Sequence, residues 1–424
     1  MSAIPAGRPI AELTAAQLRE YLVGGQADVG DLLGERLAYA RALEERIGAF
    51  ASLDERVLAL QADHRRQERA RGEPPGRLYG VPLAVADTID TADFPTAFGK
   101  AATTEFAGDQ AGPARNPHDA GRAAGGPSGG AAAAVAAGVV PIALGADGGG
   151  SLLRAASFCG VYGYAPSAGL LPRTGSFELS PSLDRLGLLA RCVEDLALLA
   201  EVASGDDGHD RASVGVAPRR LLTVCAAEPP VGPRFCFVRS PWWERIDSEA
   251  REAYEAFVEL MHGVVVPAEL PAVVRQAVDW HRHAGEAELA FSLQREYRNH
   301  PALLGEALRL RIEQGMRLPA LEYLAARERM PHVACAFDEY FERYDAILCP
   351  AALGGAPKGL ACAGDPIMQT VWNFAGLPAL SMPLLALSGG LPLGVQAVGA
   401  MHNDGRLLRA VRWLVNEFVN RGSS

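Results

Sequence analysis

From Gly125 to Ser151 the chain is built almost wholly from glycine, alanine and other small residues, bounded by Gly125-Gly-Pro-Ser-Gly-Gly130 at one end and Gly145-Ala-Asp-Gly-Gly-Gly-Ser151 at the other. Nothing else in the sequence restricts the fold so strongly. The spacing predicts a small-residue helix over 130–138, a strand over 139–144 and a turn over 145–150. A helix with so little side chain gains its burial by bringing its backbone close to its neighbours. The run from Gly129 to Leu144 is too short to span a bilayer and contains Pro141.

The flanking sequence alternates strand and helix signals. Thr14-Ala-Ala-Gln17 is a capping-box pattern opening a helix through Leu22. Residues 28–47 and 52–70 carry apolar residues at helical spacing, and 71–76 is a loop. Residues 79–85 read as a short buried strand, and 100–128 as loop with at most one helical turn. Helices are expected at 191–203, 248–263, most of 270–343 and 406–420. Strands are expected at 234–238 and 344–350. A pair at 380–383 and 394–399 should turn around Ser388-Gly-Gly390. Residues 205–235 read as a linker or variable loop. The pattern predicts an α/β fold with a mixed central sheet covered by helices on both faces. With no internal repeat and no sharp change of composition, residues 1–424 are expected to form a single domain. Its expected parts are an N-terminal helical segment (1–75), a core (76–205), a variable helical region on the substrate side (206–343) and the C-terminal part of the core (344–424).

Of the 424 residues, 49% are apolar and 21% charged, which is a globular composition. The formal net charge of −10 announces no basic face, so neither nucleic acid nor an anionic membrane is an expected partner. The seven cysteines are widely spaced and form no Cys-x-x-Cys pair, which points to reduced thiols rather than disulfides or a zinc site. Met1–Gln17 shows no signal-peptide pattern, and a cytoplasmic location is expected. No cofactor and no metal are expected. His281 and His283 project about 200° apart on a helix and cannot share a ligand. The 145–150 run lacks the Gly-Lys-Ser/Thr ending of a phosphate loop.

The stretch 76–205 resembles the amidase signature family. The matching pieces are Gly80-Val-Pro-Leu-Ala-Val-Ala-Asp87, Asn116-Pro-His-Asp119, the two glycine-rich segments, Ser157-Phe-Cys-Gly160 and Leu189-Ala-Arg-Cys-Val-Glu-Asp195. Asn373-Phe-Ala-Gly-Leu-Pro-Ala-Leu-Ser-Met-Pro383 and Gly390-Leu-Pro-Leu-Gly-Val-Gln396 extend the resemblance, which weakens from about 207 to 340. It implies the amidase-signature fold and serine-based acyl transfer from amides. The implied machinery is a lysine base, a bridging serine after a cis peptide bond, and a nucleophilic serine in a glycine-rich turn whose N–H groups stabilise the oxyanion.

Two of those three positions are changed. Ala86 stands where the resemblance puts the lysine, and Pro127 where it puts the bridging serine. The frame holds, because the 24-residue interval from Pro127 to Ser151 equals the family's interval between its two serines. Only Ser151, at the nucleophile position, remains. Pro127 is informative. A cis bond costs about 3–4 kcal/mol before an ordinary residue but roughly 0.5–1 before proline. The expectation is therefore a preserved cis turn with its hydroxyl deleted. Asp147 matches the family turn, Gly148 replaces a threonine, and the backbone of Gly148, Gly149, Gly150 and Ser151 can still line an oxyanion site. Arg154 lies one residue later than the family's arginine, and Ala155 replaces a proline.

The remaining candidates have bland and sharp readings. Ser128 is the candidate relay to Ser151. It also fits Gly-x-Ser-x-Gly formally, but that elbow requires a strand before it. His118 and Lys100 are the candidate substitute bases, weighed against a structural histidine and a solvated lysine. Asp147 reads as a turn cap rather than a base, Asp87 as a partner of local backbone, and Trp242-Trp243 as core packing or pocket lining. The leading expectation is an amidase-like protein that has lost ordinary amide hydrolysis. Its pocket would serve an acyl or amide-like small molecule, through modified acyl transfer or cyclisation in a specialised biosynthetic pathway. The alternatives are a non-catalytic protein that binds a ligand or a partner, and a weak amidase or esterase using Ser151 alone. The resemblance leaves homodimerisation open.

Overall fold

The computed structural model describes residues 12–91, 99–104 and 112–422. Met1–Ala11, most of the Thr96–Lys100 loop and the middle of the 100–128 loop lie outside the described residues.

The N-terminal part holds helices α1 (Ala15–Val23) and α2 (Val29–Ile47), strand β1 (Phe50–Ser52) and helix α3 (Glu55–Ala70). Thr14 and Gln17 make both bonds of the expected capping box. Asp28 and Asp54 cap α2 and α3 through their side chains. The chain continues through β2 (Leu83–Ala86), β3 (Gly99–Ala101), α4 (Gly129–Ala136), β4 (Ile142–Asp147), α5 (Ser151–Cys159), β5 (Tyr162–Ala165), β6 (Arg185–Ala190) and α6 (Val193–Ala203). After α7 (Leu221–Ala226) come β7 (Phe235–Val238), α8 (Ser248–Leu260) and β8 (Val265–Ala268). Helices α9 (Val273–Ser292), α10 (Gln294–Asn299), α11 (Glu306–Arg317), α12 (Ala320–Cys335) and α13 (Asp338–Arg343) follow. The chain closes with β9 (Ala346–Pro350), α14 (Ile367–Phe374), β10 (Ala379–Ala386), β11 (Pro392–Val398) and α15 (Asp404–Gly422).

Among the described residues eleven strands form one mixed sheet in the order β1-β3-β2-β4-β6-β5-β10-β11-β9-β7-β8. β2 runs parallel to β3 and β4, and β7 parallel to β8 and β9, while the central pairs are antiparallel. Alternate residues of a strand face opposite sides. Ala84, Ala143 and Leu189 accordingly pack with α4 and α5. Val85, Ile142 and Leu188 pack with α6 and α15 on the other side. Both faces are thus covered by helices.

The small residues do what their size allows. A Cβ on Gly130 would stand 2.5 Å from the carbonyl oxygens of Ala49 and Ala102, so α4 lies against the backbone of neighbouring segments. Three expectations shift. Gly145–Asp147 is strand rather than turn, because β4 pairs with β6 as far as Asp147 and Arg185. Residues 205–235 are not a bare linker, since α7 packs Leu221 and Cys225 into the core. Residues 52–54 leave the helix expected there, because Phe50–Ser52 pairs with β3. The expected hairpin forms between β10 and β11. Trp243 is core packing, edge-on to Phe237 at 6.2 Å. None of the seven cysteines forms a disulfide. No helix among the described residues is long and apolar enough to cross a membrane.

Candidate active site

The register of β2 on β4 pairs Val85 with Leu144, so Ala86 ends its strand beside the last residues of β4. Beyond Asp147 the chain makes a three-glycine turn and enters α5 at Ser151. The site therefore lies at the C-terminal ends of two parallel strands and the N-terminus of a helix. That is where α/β proteins direct backbone N–H groups at a ligand.

The turn is held from below. Asp147 is fully buried. It accepts from the Leu152 amide at 3.1 Å and pairs with Arg185 at 3.4 Å. It is a cap and an anchor, as expected, and both contacts tie it to the turn's own scaffold. Gly149 and Gly150 need glycine for conformation, with φ of 127° and 85°. Among the described residues no hydrogen bond uses the Gly149, Gly150 or Ser151 amide as donor. Ser151 is 5% exposed, and its Oγ has no hydrogen-bond partner.

Gly126–Pro127 is cis, and the loop sits against α5. Arg154, almost fully buried, donates from Nη2 to the Gly126 carbonyl at 2.8 Å. Arg154 therefore holds the residue before the proline. Ala86 is buried in the apolar layer with Val85 and Ile89.

The structure engages the other candidates elsewhere. Ser128 donates its hydroxyl to the Ala146 carbonyl at 2.7 Å, so its proton is committed to backbone and no relay to Ser151 is formed. His118 lies at the far end of α5, its Nε2 2.9 Å from the Cys159 carbonyl oxygen. At 1.5 Å per residue that is about 12 Å along the helix from Ser151, too far for a base. Lys100 is a correction of another kind. It is buried rather than solvated, because β3 lies inside the sheet, and its ammonium donates to the Ile89 carbonyl.

Residues without a local signal surround the turn instead. A Cβ on Gly148 would stand 2.6 Å from Asp184 Oδ1. A Cβ on Gly149 would be 3.6 Å from Cε1 of His281, and one on Gly150 would overlap Gln369. Each glycine thus lies under a polar side chain from a different segment: the loop before β6, α9 and α14. His281 Nε2 is 3.1 Å from Asn373 Oδ1, and Asn373 donates to the Leu183 carbonyl at 3.0 Å. His283 turns away toward Glu322 at 3.4 Å, as the helical spacing requires. Gln369 donates to the Ala351 carbonyl, and its buried Oε1 has no partner. Burial raises the Asp184 carboxyl to about 6, against the opposing Ser180 and Leu179 amides. Among the described residues no three His, Cys, Asp or Glu side chains converge as a metal set.

The amidase family model matches residues 108–408. The chain belongs to the amidase signature family. It is 29% identical to a glutamyl-tRNA(Gln) amidotransferase subunit of Picosynechococcus sp., over 92% of this chain and 95% of that protein. The same-named protein of Archaeoglobus fulgidus is 30% identical, over 82% of this chain and 88% of that one. Among solved structures, one described as a vestigial protein complex revealing the evolutionary origins of an s-triazine catabolic enzyme superposes with a TM-score of 0.86 at 26% identity. It covers 95% of this chain and 98% of that one.

Proposed function

We propose that this amidase-family chain has lost ordinary Lys/cis-Ser/Ser amide hydrolysis. Its Ser151 turn instead serves an acyl or amide-like small molecule in a modified acyl transfer or cyclisation. The observation that carries the reading is the state of Ser151. Its hydroxyl stands at a helix N-terminus, beside turn amides that no described hydrogen bond uses, and no base is bonded to it. An oxyanion site without its general base keeps part of its power. Loss of a base costs about 10²–10⁴ in rate, while the oxyanion donors alone can leave 10³–10⁴ over water. That favours an activated acyl compound over a plain amide.

The second reading, a non-catalytic binding partner, is favoured by one observation. Phe291, Leu303 and Leu321, on or beside α9–α12, are 72%, 79% and 80% exposed. Such apolar exposure suits a protein interface, with a second copy of the chain or with another protein.

The deciding experiment is intact mass after incubation with a fluorophosphonate, with Ser151→Ala as control. A single adduct that vanishes in the control is expected. No adduct on a folded protein would move the assignment to the binding-partner reading.

A further inference from the structure

We infer that the Ser151 turn stands closed in this structure and that the His281 ring is its gate, swinging off Gly149 to admit an acyl compound; this rests on the reading of Ser151 as the site of acyl chemistry.

The first observation is one of access. Ser151 Oγ is buried out of reach of water. An acyl carbon cannot touch an atom that a water molecule cannot touch. Chemistry at Ser151 therefore requires a covering group to move first. Three side chains from distant segments lie over the turn. A Cβ on Gly148 would stand 2.6 Å from Asp184 Oδ1, and one on Gly150 would overlap Gln369. Between them, a Cβ on Gly149 would stand 3.6 and 3.7 Å from Cε1 and Nε2 of His281.

Packing separates the three. Asp184 is pinned by the amides of Leu179 and Ser180, at 2.7 and 2.8 Å, and Leu179 packs against the apolar cluster of Leu289, Leu293 and Leu304. Gln369 is 1% exposed, all eight residues of α14 are buried, and its Nε2 donates to the Ala351 carbonyl. Neither can leave the turn without disturbing a packed segment. His281 is half-buried, with the turn on one side of its ring and water on the other. Rotation about its own side-chain bonds lifts the ring off Gly149 and displaces no backbone.

The ring is latched rather than loose. Its Nε2 lies 3.1 Å from Asn373 Oδ1, and Asn373 donates to the Leu183 carbonyl at 3.0 Å, which ties the latch to the loop that carries Asp184. The ring also meets Phe374 edge-on, with centroids 6.4 Å apart. It closes over a turn whose Gly149, Gly150 and Ser151 amides serve as donors in no described hydrogen bond. The closed ring keeps water from these donors, and an acyl compound that displaces it finds them ready for a developing oxyanion.

The test reads access separately from reactivity. Ser151→Cys places a thiol at the covered atom. Its alkylation by iodoacetamide is followed thiol by thiol through peptide mass spectrometry, with the exposed Cys335 and Cys362 as internal references. The introduced thiol should react far more slowly than those two. Adding His281→Ala should speed it at least about tenfold, with folding checked by circular dichroism. Adding Gln369→Ala instead should not. A thiol that already reacts as fast as Cys335 in the single variant would mean an open turn and overturns the inference. So does an unchanged rate with His281→Ala, or an equal gain with Gln369→Ala, which would assign the opening to α14. Should His281→Ala fail to fold, His281→Asn also removes the ring and carries the same expectation. Fluorophosphonate labelling keeps the two readings apart. A faster thiol with His281→Ala, but no labelling of Ser151 with or without His281, leaves the gate standing and overturns the nucleophile.

Discussion

The two loops beside α5 are held in opposite ways. At the first, Pro127 follows a cis bond and Arg154 holds the Gly126 carbonyl by its guanidinium. At the second, each glycine lies under a polar side chain from a distant segment: Asp184, His281 and Gln369. The first loop is fixed by contacts close to it in the fold, the second by side chains that only the tertiary structure brings over it, and neither bonds a partner to the Ser151 hydroxyl.

The largest expected effect concerns the first loop and the end of β2. Ala86→Lys combined with Pro127→Ser should raise hydrolysis of a simple aryl amide about 10²-fold or more over wild type, the usual contribution of a general base. The measurement is release of the arylamine. A folded double variant with no gain would place the decisive difference in the second loop or beyond it.

The second effect concerns the turn's backbone. Gly150 has φ 85°, and a Cβ there would overlap Gln369. Gly150→Ala combines a left-handed alanine with overpacking and should cost about 3 kcal/mol in urea unfolding. A cost below about 1 kcal/mol would show that α14 yields easily and that the turn is less tightly framed than its neighbours suggest.

Much of this frame could be read in the sequence, because it is local. The capping box at Thr14, the small-residue helix, the hairpin around Ser388–Gly390 and the cis turn at Pro127 each depend on residues close together in the chain. The extent of β4 could not. Gly145 reads as turn on its own, and only pairing with β6, forty residues on, keeps it in the sheet. The polar side chains over the turn were hidden for the same reason. Asp184, His281 and Gln369 come from segments 36 to 219 residues away from the glycines they cover, and no spacing links them. Lys100 misleads in the opposite sense: a lone charged residue in a polar loop reads as solvated, yet β3 carries it into the sheet.

The smallest effect sharpens the comparison most. Gly148→Ala adds one methyl to the same turn as Gly150→Ala, but the circumstances differ. The backbone angle is ordinary, and the contact is the far end of a side chain that can rotate, rather than a packed Cβ. Moving Oδ1 need not break the bonds that Oδ2 makes to Leu179 and Ser180. The stability cost should therefore stay below about 1 kcal/mol, within the range of mild overpacking. Thermal unfolding of the two alanine variants side by side measures the contrast. A Gly148→Ala cost as large as that of Gly150→Ala would mean that Asp184 is locked as rigidly as the Gln369 Cβ. Its carboxylate would then be a strut of the turn, held by the Leu179 and Ser180 amides.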